Sequence, residues 1–539
     1  MNRKIILLFI IIFAGFLRFY KLDWGNGIFS HPDERNISWA VSNISFPLQM
    51  NPKFFAYGGF PIYLYYFTGF FLNKIFPLQN FLSFENIILI GRYWSAFFST
   101  LSVLLFYLLS KKILKNDFAL AATFILALLP GAFQQAHFAT VESLVTFFFI
   151  LIIYLSILFW EKKKLSILFA VSIIEGFSIG TKIVSLTFLP IIFLPLFLYF
   201  IKPFSIKRLF FLFFNVFFIS VLIFISFSVS SPYTFLDYRS FNNSMNYETG
   251  VGVGDPITFY TRQFILTTPL IFQLVKIFPY AINPAIEVCA IIGFILLIVN
   301  FIRKPSFIYF IIIISFLSYF IPNIIIFAKW TRFMAPVFFF FPLFALYFLS
   351  TIKIDMIRKI LLFILLVITI SWSLAFFTIY QRTDVRLIAS SWIEKNIPFT
   401  SFLLIESGNV IDIPFSGDYK RTSFDFFHID QDNKKSEFLS LIAESDYFVI
   451  QSRRVWANYT RMPDTHPTTA KFYPLLWSGN LGFKKIAEFD SFPKIFNIKI
   501  NDEYAEETFT VFDHPHITIW KKINYYPKEY YLNLFEIKK

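Results

Sequence analysis

Two adjacent carboxylates, Asp33 and Glu34, follow the first apolar run of the chain in the stretch Ser30-His31-Pro32-Asp33-Glu34-Arg35-Asn36. Ionised groups beside a membrane are costly to keep without a use. A carboxylate at such a boundary can take the proton of a hydroxyl and so make it a nucleophile. The same residues also suit a helix start, with Ser30 or His31 near the cap, Pro32 in the first turn and the acidic pair facing the helix dipole. Ile37, Trp39, Ala40 and Ile44 would then form the apolar face of a short surface helix. The helix start describes where the carboxylates point and leaves their task open.

A second polar stretch, His137 to Ser143, brings Glu142 to the start of a later apolar run. Glu142 can complement that helix terminus with Thr140 as its cap, and His137 can be an interfacial side chain. Cations form a third set. Lys182 follows Gly180-Thr181 in a very short turn, and Lys329 and Arg332 flank Trp330 in another. They can snorkel to lipid headgroups or hold an anionic group, most simply a lipid phosphate. Arg239 and Arg262, in a longer polar stretch, are further candidates. Carboxylates and cations on one face of an apolar bundle suit a reaction between a lipid phosphate and a nucleophile that must lose a proton.

The elements that would position these groups are mostly apolar. The chain has 539 residues, 57% of them hydrophobic and 15% charged, and a mean hydropathy of +0.63. A soluble protein of that size cannot bury so much apolar surface, so the class is integral membrane protein. The 80 phenylalanines fit a low-GC coding bias and point to no function. A net charge of +14 invites a nucleic-acid reading, but the cations sit in short clusters between apolar runs, as topology requires. The single cysteine, Cys289, excludes an intrachain disulfide and a cysteine metal site. No small-x-small cleavage site precedes Arg18, which predicts an uncleaved N-terminal anchor.

Runs long enough to span lie near residues 5–20, 87–109, 118–136, 143–160, 165–181, 183–201, 209–230, 281–301, 306–327, 333–350 and 359–380. This predicts about eleven membrane spans. A twelfth segment, Tyr57 to Phe76, is broken by Gly58, Gly59, Pro61 and Gly69. With Arg3-Lys4 cytoplasmic and the broken segment lying along the membrane, the clusters at Lys111/Lys112/Lys115, Lys162 to Lys164, Lys202/Lys207/Arg208, Arg303/Lys304 and Lys353/Arg358/Lys359 all fall inside, as the positive-inside rule asks. The expected organisation is a transmembrane domain over residues 1–380, with outer loops 21–86 and 231–280, and a soluble extracytoplasmic α/β domain over residues 381–539. In that tail Asp384 to Asn396 has helical spacing. Phe402 to Ile405, Tyr447 to Ile450, Lys484 to Phe489, Phe509 to Phe512 and Ile517 to Trp520 read as strands, with a turn at Asp513-His514-Pro515.

The motifs, taken in order, resemble those of the GT-C type glycosyltransferases that use polyprenyl-phosphate sugars, among them protein O-mannosyltransferases and the lipid A aminoarabinose transferase. The matching residues are His31-Pro32-Asp33-Glu34, Pro61-Ile62-Tyr63, His137-Phe138-Ala139-Thr140 with Glu142, Gly176 to Lys182, Ser231-Pro232-Tyr233, Arg332-Phe333-Met334-Ala335-Pro336, and the ending Ala505 to Pro515. The resemblance implies a GT-C type helical bundle and an inverting transfer. Asp33 would act as general base on an acceptor hydroxyl, with Glu34 beside it in the catalytic pair. Lys182, Arg332 and Arg262 would stabilise the departing lipid phosphate. Glu34 and Glu142 would position acceptor or sugar, and His31 and His137 would line the substrate site. Glu142 stands where the family usually has Asp. The aminoarabinose transferase carries Glu-Lys-Pro where this chain has Gly59-Phe60-Pro61, so neither a metal nor another cofactor is expected. The implied partners are a polyprenyl-phosphate-linked sugar donor, a protein, lipid or glycan acceptor, and membrane lipids. The implied place is the cell membrane, with a cytoplasmic N-terminus.

Two other function classes compete. A transporter or lipid flippase would place charges near mid-membrane and commonly uses inverted repeats, whereas these acidic residues sit at a boundary and no repeat is visible. A non-enzymatic relative presenting its tail to a partner would tolerate loss of Asp33.

Overall fold

A computed structural model describes residues 2–201, 203–407, 411–414 and 416–535; Lys202 of the third basic cluster lies outside them. The chain divides into two compact units. The first comprises Met1–Leu22, Pro32–Pro256 and Thr267–Phe377, and the second Asp23–His31, Ile257–Leu266 and Thr378–Lys539.

The first unit is helical. Among the described residues seven helices are long and apolar enough to cross a membrane, or up to nine if each of two bent pairs is one span. All eleven expected runs are helical. Two of them, Arg3–Phe19 and Leu165–Ile179, have 17 and 15 residues, fewer than the roughly twenty that match the hydrocarbon core. Leu165–Ile179 stops at Gly180, after which Ile183–Phe188 continues as a tighter 3-10 helix. The broken segment forms the helix Gly59–Ile75. The molecule is a multi-pass membrane protein.

Proline sets one of the bends. Pro130 offers no N–H, and Asn116–Leu128 and Pro130–Ala136 meet at 55°. The Leu126 carbonyl thereby loses its donor four residues on. Buried Arg18 donates to it at 3.4 Å, to the Ala127 carbonyl at 3.0 Å and to Ser99 Oγ at 2.8 Å. An arginine inside an apolar bundle is tolerated only with such partners, and here it closes the backbone gap made by the proline.

The second unit is α/β. Its strands are β1 (Phe402–Glu406), β2 (Lys420–Phe424), β3 (Tyr447–Ile450), β4 (Phe483–Phe489), a small ribbon of β5 (Lys494–Ile495) with β6 (Ile498–Lys499), and β7 (Ile517–Lys522). The main sheet runs β2-β1-β3-β7-β4, parallel among β2, β1 and β3 and antiparallel from β3 through β7 to β4. Strand β1 is buried throughout, as a strand covered on both faces must be. Leu404 joins a core with Phe426, Phe438 and Phe448 on one face, while Leu403 and Ile405 join Val385, Ala389 and Ile393 on the other.

The expected strand at 509–512 is instead the short helix Glu507–Thr510. Glu506 caps it by accepting the Thr508 N–H at 3.0 Å, which outweighs the alternation of Phe509 and Val511. The sequence reading did not anticipate β2 or the helices Asp432–Glu444 and Pro467–Trp477.

Candidate active site

Asp33 and Glu34 occupy the first turn of the helix Pro32–Ser42. Glu34 is fully enclosed. Arg92 grips both of its oxygens, Nε to Oε1 at 2.7 Å and Nη2 to Oε2 at 2.9 Å, and the Ala139 N–H adds a bond of 2.7 Å. Arg92 also donates to the Leu22 carbonyl at 2.7 Å, and neither charged side chain reaches solvent. The sequence reading passed over Arg92 because it lies within an apolar run. The available signal was the run itself, since an arginine there requires an acidic partner.

Asp33 is paired differently. Its carboxylate accepts from Arg332, and both side chains remain partly open, at 12% and 18% exposure. The Arg332 guanidinium also lies over Trp330, 4.8 Å from the ring centroid, and 5.8 Å from that of Phe333.

A second pair stands nearby. Glu142, first residue of the helix Glu142–Lys162, accepts from Lys182 Nζ at 2.9 Å. That ammonium lies 4.9 Å from the Phe333 centroid and 5.7 Å from that of Tyr57. The Phe333 ring therefore contacts the cations of both pairs, which places Asp33, Arg332, Glu142 and Lys182 in one site. The second carboxylate oxygen of Glu142 and the Thr140 hydroxyl are buried without hydrogen-bond partners among the described residues. Thr140 does not cap the helix: that position is Val141, with no side-chain bond. Burial raises the Tyr57 phenol well above its usual pKa, and the charges of Glu142 and Glu248 push it the same way. Glu248, on the helix Tyr238–Val253, is thus an acidic neighbour that the sequence reading did not name.

Backbone contacts fix the Lys182 turn. The Gly58 N–H donates to the Thr181 carbonyl and the Phe60 N–H to the Gly180 carbonyl, each at 3.0 Å, and the Gly59 N–H reaches Ser231 Oγ at 2.9 Å. A Cβ at Gly58 would lie 1.9 Å from the Gly180 carbonyl oxygen. The glycines that break the juxtamembrane segment therefore permit its docking against this turn.

Arg239 is exposed, and the other sequence candidates have partners of their own. His137 is buried, with Nδ1 2.7 Å from the Phe133 carbonyl and Nε2 3.0 Å from that of Tyr20. Lys329 donates to the Phe327 carbonyl at 2.9 Å and to Thr267 Oγ1 at 3.2 Å, and burial lowers its pKa. Trp39, expected on the apolar face of its helix, is 55% exposed, while Ile37, Ala40 and Ile44 are buried. His31 belongs to the second unit and packs on Phe512 with ring centroids 4.6 Å apart. Arg262 belongs there too, bonded to His466 and lying 4.9 Å from the Tyr459 centroid. Among the described residues no three His, Cys, Asp or Glu side chains are grouped to hold a metal. Asp33 and Glu142 instead carry protein cations.

Residues 78–231 match the model of the dolichyl-phosphate-mannose-protein mannosyltransferase family, a segment that contains Arg92, Glu142 and Lys182. No protein of curated function matches the sequence. Among solved structures the chain is similar to the oligosaccharyltransferase of Archaeoglobus fulgidus in its apo form, with a TM-score of 0.53 and 14% identity over 93% of this chain and 75% of that one. The same archaeal enzyme in complex with an inhibitory peptide and a dolichol-phosphate gives 0.50 and 13% over 93% and 75%. ArnT from Cupriavidus metallidurans bound to undecaprenyl phosphate is a more distant likeness, at 0.45 and 12% over 95% and 97%. The chain has the GT-C type fold of the archaeal structures, and its residues 78–231 are similar to the mannosyltransferase family.

Proposed function

We propose that the protein is a membrane glycosyltransferase that moves a sugar from a polyprenyl-phosphate donor to an acceptor hydroxyl on the outer face of the membrane, with inversion. The convergence of the Asp33–Arg332 and Glu142–Lys182 pairs on Phe333 carries this reading. The archaeal relative's complex with dolichol-phosphate supports the same ligand class here.

In the reaction the acceptor hydroxyl gives its proton to the Asp33 carboxylate while its oxygen bonds to the anomeric carbon. The bond from that carbon to the phosphate oxygen breaks, and the lipid phosphate leaves with the electron pair. Arg332, released from Asp33 by the incoming phosphate, and Lys182 stabilise the charge that develops on it. Releasing Arg332 also frees Asp33 to accept the proton, so donor binding arms the base. Glu34, with both oxygens engaged, acts by fixing the helix start that aims Asp33, and Glu142 holds Lys182. His137 supports the same loop. The basic clusters put the N-terminus in the cytoplasm, and residues 381–539 form an extracytoplasmic domain.

The test uses membranes containing the protein and a polyprenyl-phosphate sugar carrying a labelled sugar. The wild type transfers label to an acceptor and Asp33→Asn does not. Undiminished transfer by Asp33→Asn removes the base assignment, and lipid movement across the bilayer without transfer favours a flippase.

A further inference from the structure

The second unit contains a cleft of about 680 Å³ between the ends of β3, β7 and β4. Its lining includes Trp456, Trp477, Trp520, Lys484, Lys485 and His516. Trp456 and Trp477 pack edge to face, with centroids 5.6 Å apart. Trp477 remains 46% exposed, and the Trp520 indole N–H is held by Thr518 at 3.0 Å. The register of β4 against β7 slips between Lys485 and Ala487, the kind of bulge that re-aims side chains at the edge of a sheet.

Charge at the cleft is unevenly spent. His516 is bonded on both nitrogens at 2.8 Å, by Glu503 and by Glu488, and Lys485 bonds Glu488 at 2.5 Å. Lys484 has no ion-pair partner among the described residues, so one cation is surplus. Indole faces suit the C–H side of a pyranose ring, and a surplus cation suits an acid group on it. A peptide strand or lipid tail would use the apolar wall and leave Lys484 without a partner.

We propose that this cleft binds an acidic saccharide, with the sugar ring against Trp477 and its carboxylate on Lys484. It therefore presents a glycan to the protein. If the transferase reading above holds, on which this extension rests, that glycan is the acceptor. The binding itself is independent of that reading.

The experiment uses the full-length protein in phospholipid nanodiscs, because common detergents carry sugar headgroups. Saturation-transfer NMR follows digalacturonate and, as its neutral counterpart, galactobiose. The expected result is saturable contact with digalacturonate, weakened about tenfold by Trp477→Ala, and a preference over galactobiose that Lys484→Ala removes. Both side chains are exposed, so neither change threatens folding. Absence of saturable contact, or indifference to Trp477→Ala, overturns the site, and equal binding of galactobiose by the wild type overturns the acidic class. Asp33→Asn separates the two readings. It leaves digalacturonate binding intact if the cleft is a binding site, whatever its effect on transfer.

Discussion

Asp33 and Glu34 are consecutive carboxylates on one helix, each paired with an arginine, yet their surroundings have little in common. Residues adjacent on a helix point about 100° apart, so one faces inward and the other faces the site. Glu34 has both oxygens bonded and no exposure. Asp33 accepts from Arg332, and both partners keep a path to solvent. The contrast teaches that acidity at a membrane boundary does not by itself mark a base. Saturation by fixed donors makes a carboxylate structural, and an exchangeable partner leaves it able to take a proton.

The largest effect that would sharpen the contrast is expected from Asp33→Asn. Loss of a general base lowers transfer by about 100- to 10,000-fold, while the unfolding temperature stays near that of the wild type. Next comes Arg92→Met, which strands the Glu34 charge and destabilises the first unit by about 3–5 kcal/mol, read as lost folded yield or a lowered unfolding temperature. The pair Arg92→Met with Glu34→Leu should recover most of that stability together with measurable transfer. A stable but inactive double variant would break the contrast by giving Glu34 a chemical role. Arg332→Gln follows. It should lower transfer about 100-fold through lost charge stabilisation and leave stability nearly unchanged, because its pair with Asp33 is partly exposed.

The smallest effect on transfer is expected where the comparison extends to a buried cation in the second unit. His514 lies between Asp513 at 2.5 Å and Asp502 at 2.9 Å, and Tyr380 donates to Asp513 at 2.9 Å. Burial opposes its charge, but the two carboxylates prevail and raise its pKa to about 10. A cation with a raised folded pKa contributes stability that is complete below the unfolded value, about 6.5, and lost as pH rises through 10. Thermal unfolding followed by tryptophan fluorescence should show the wild type converging on His514→Gln between pH 7 and 10. A constant gap between them would mean that His514 is neutral in the fold.

The sequence reading recovered the features carried by local pattern. Long apolar runs became helices, and β1, β3 and β7 appeared where β-branched and aromatic residues cluster. It missed β2, Lys420 to Phe424, because an edge strand with mostly exposed side chains lacks an apolar signature. It also took Phe509 to Phe512 for a strand, where the Glu506 cap decides otherwise. The candidate site was only partly legible for a different reason. The residue types were visible, but the partnership of Asp33 with Arg332 spans 299 positions, and no local spacing encodes it. Nor could spacing tell that Glu34 would be saturated by an arginine hidden in an apolar run together with the Ala139 N–H.

The Glu34 contacts also impose an order on assembly. The helix Pro32–Ser42 reaches the membrane surface early in synthesis, because chains are made and folded from the N-terminus. Its buried carboxylate gains a counter-charge only when Arg92 arrives, and its last donor only when Ala139 has been made. Until then Glu34 is an ion awaiting its site, and the turn that carries Asp33 has no fixed direction. A nascent chain halted before residue 139 would carry the complete Asp33 loop and still lack an aimed carboxylate, so the geometry of the proposed base is set during biogenesis.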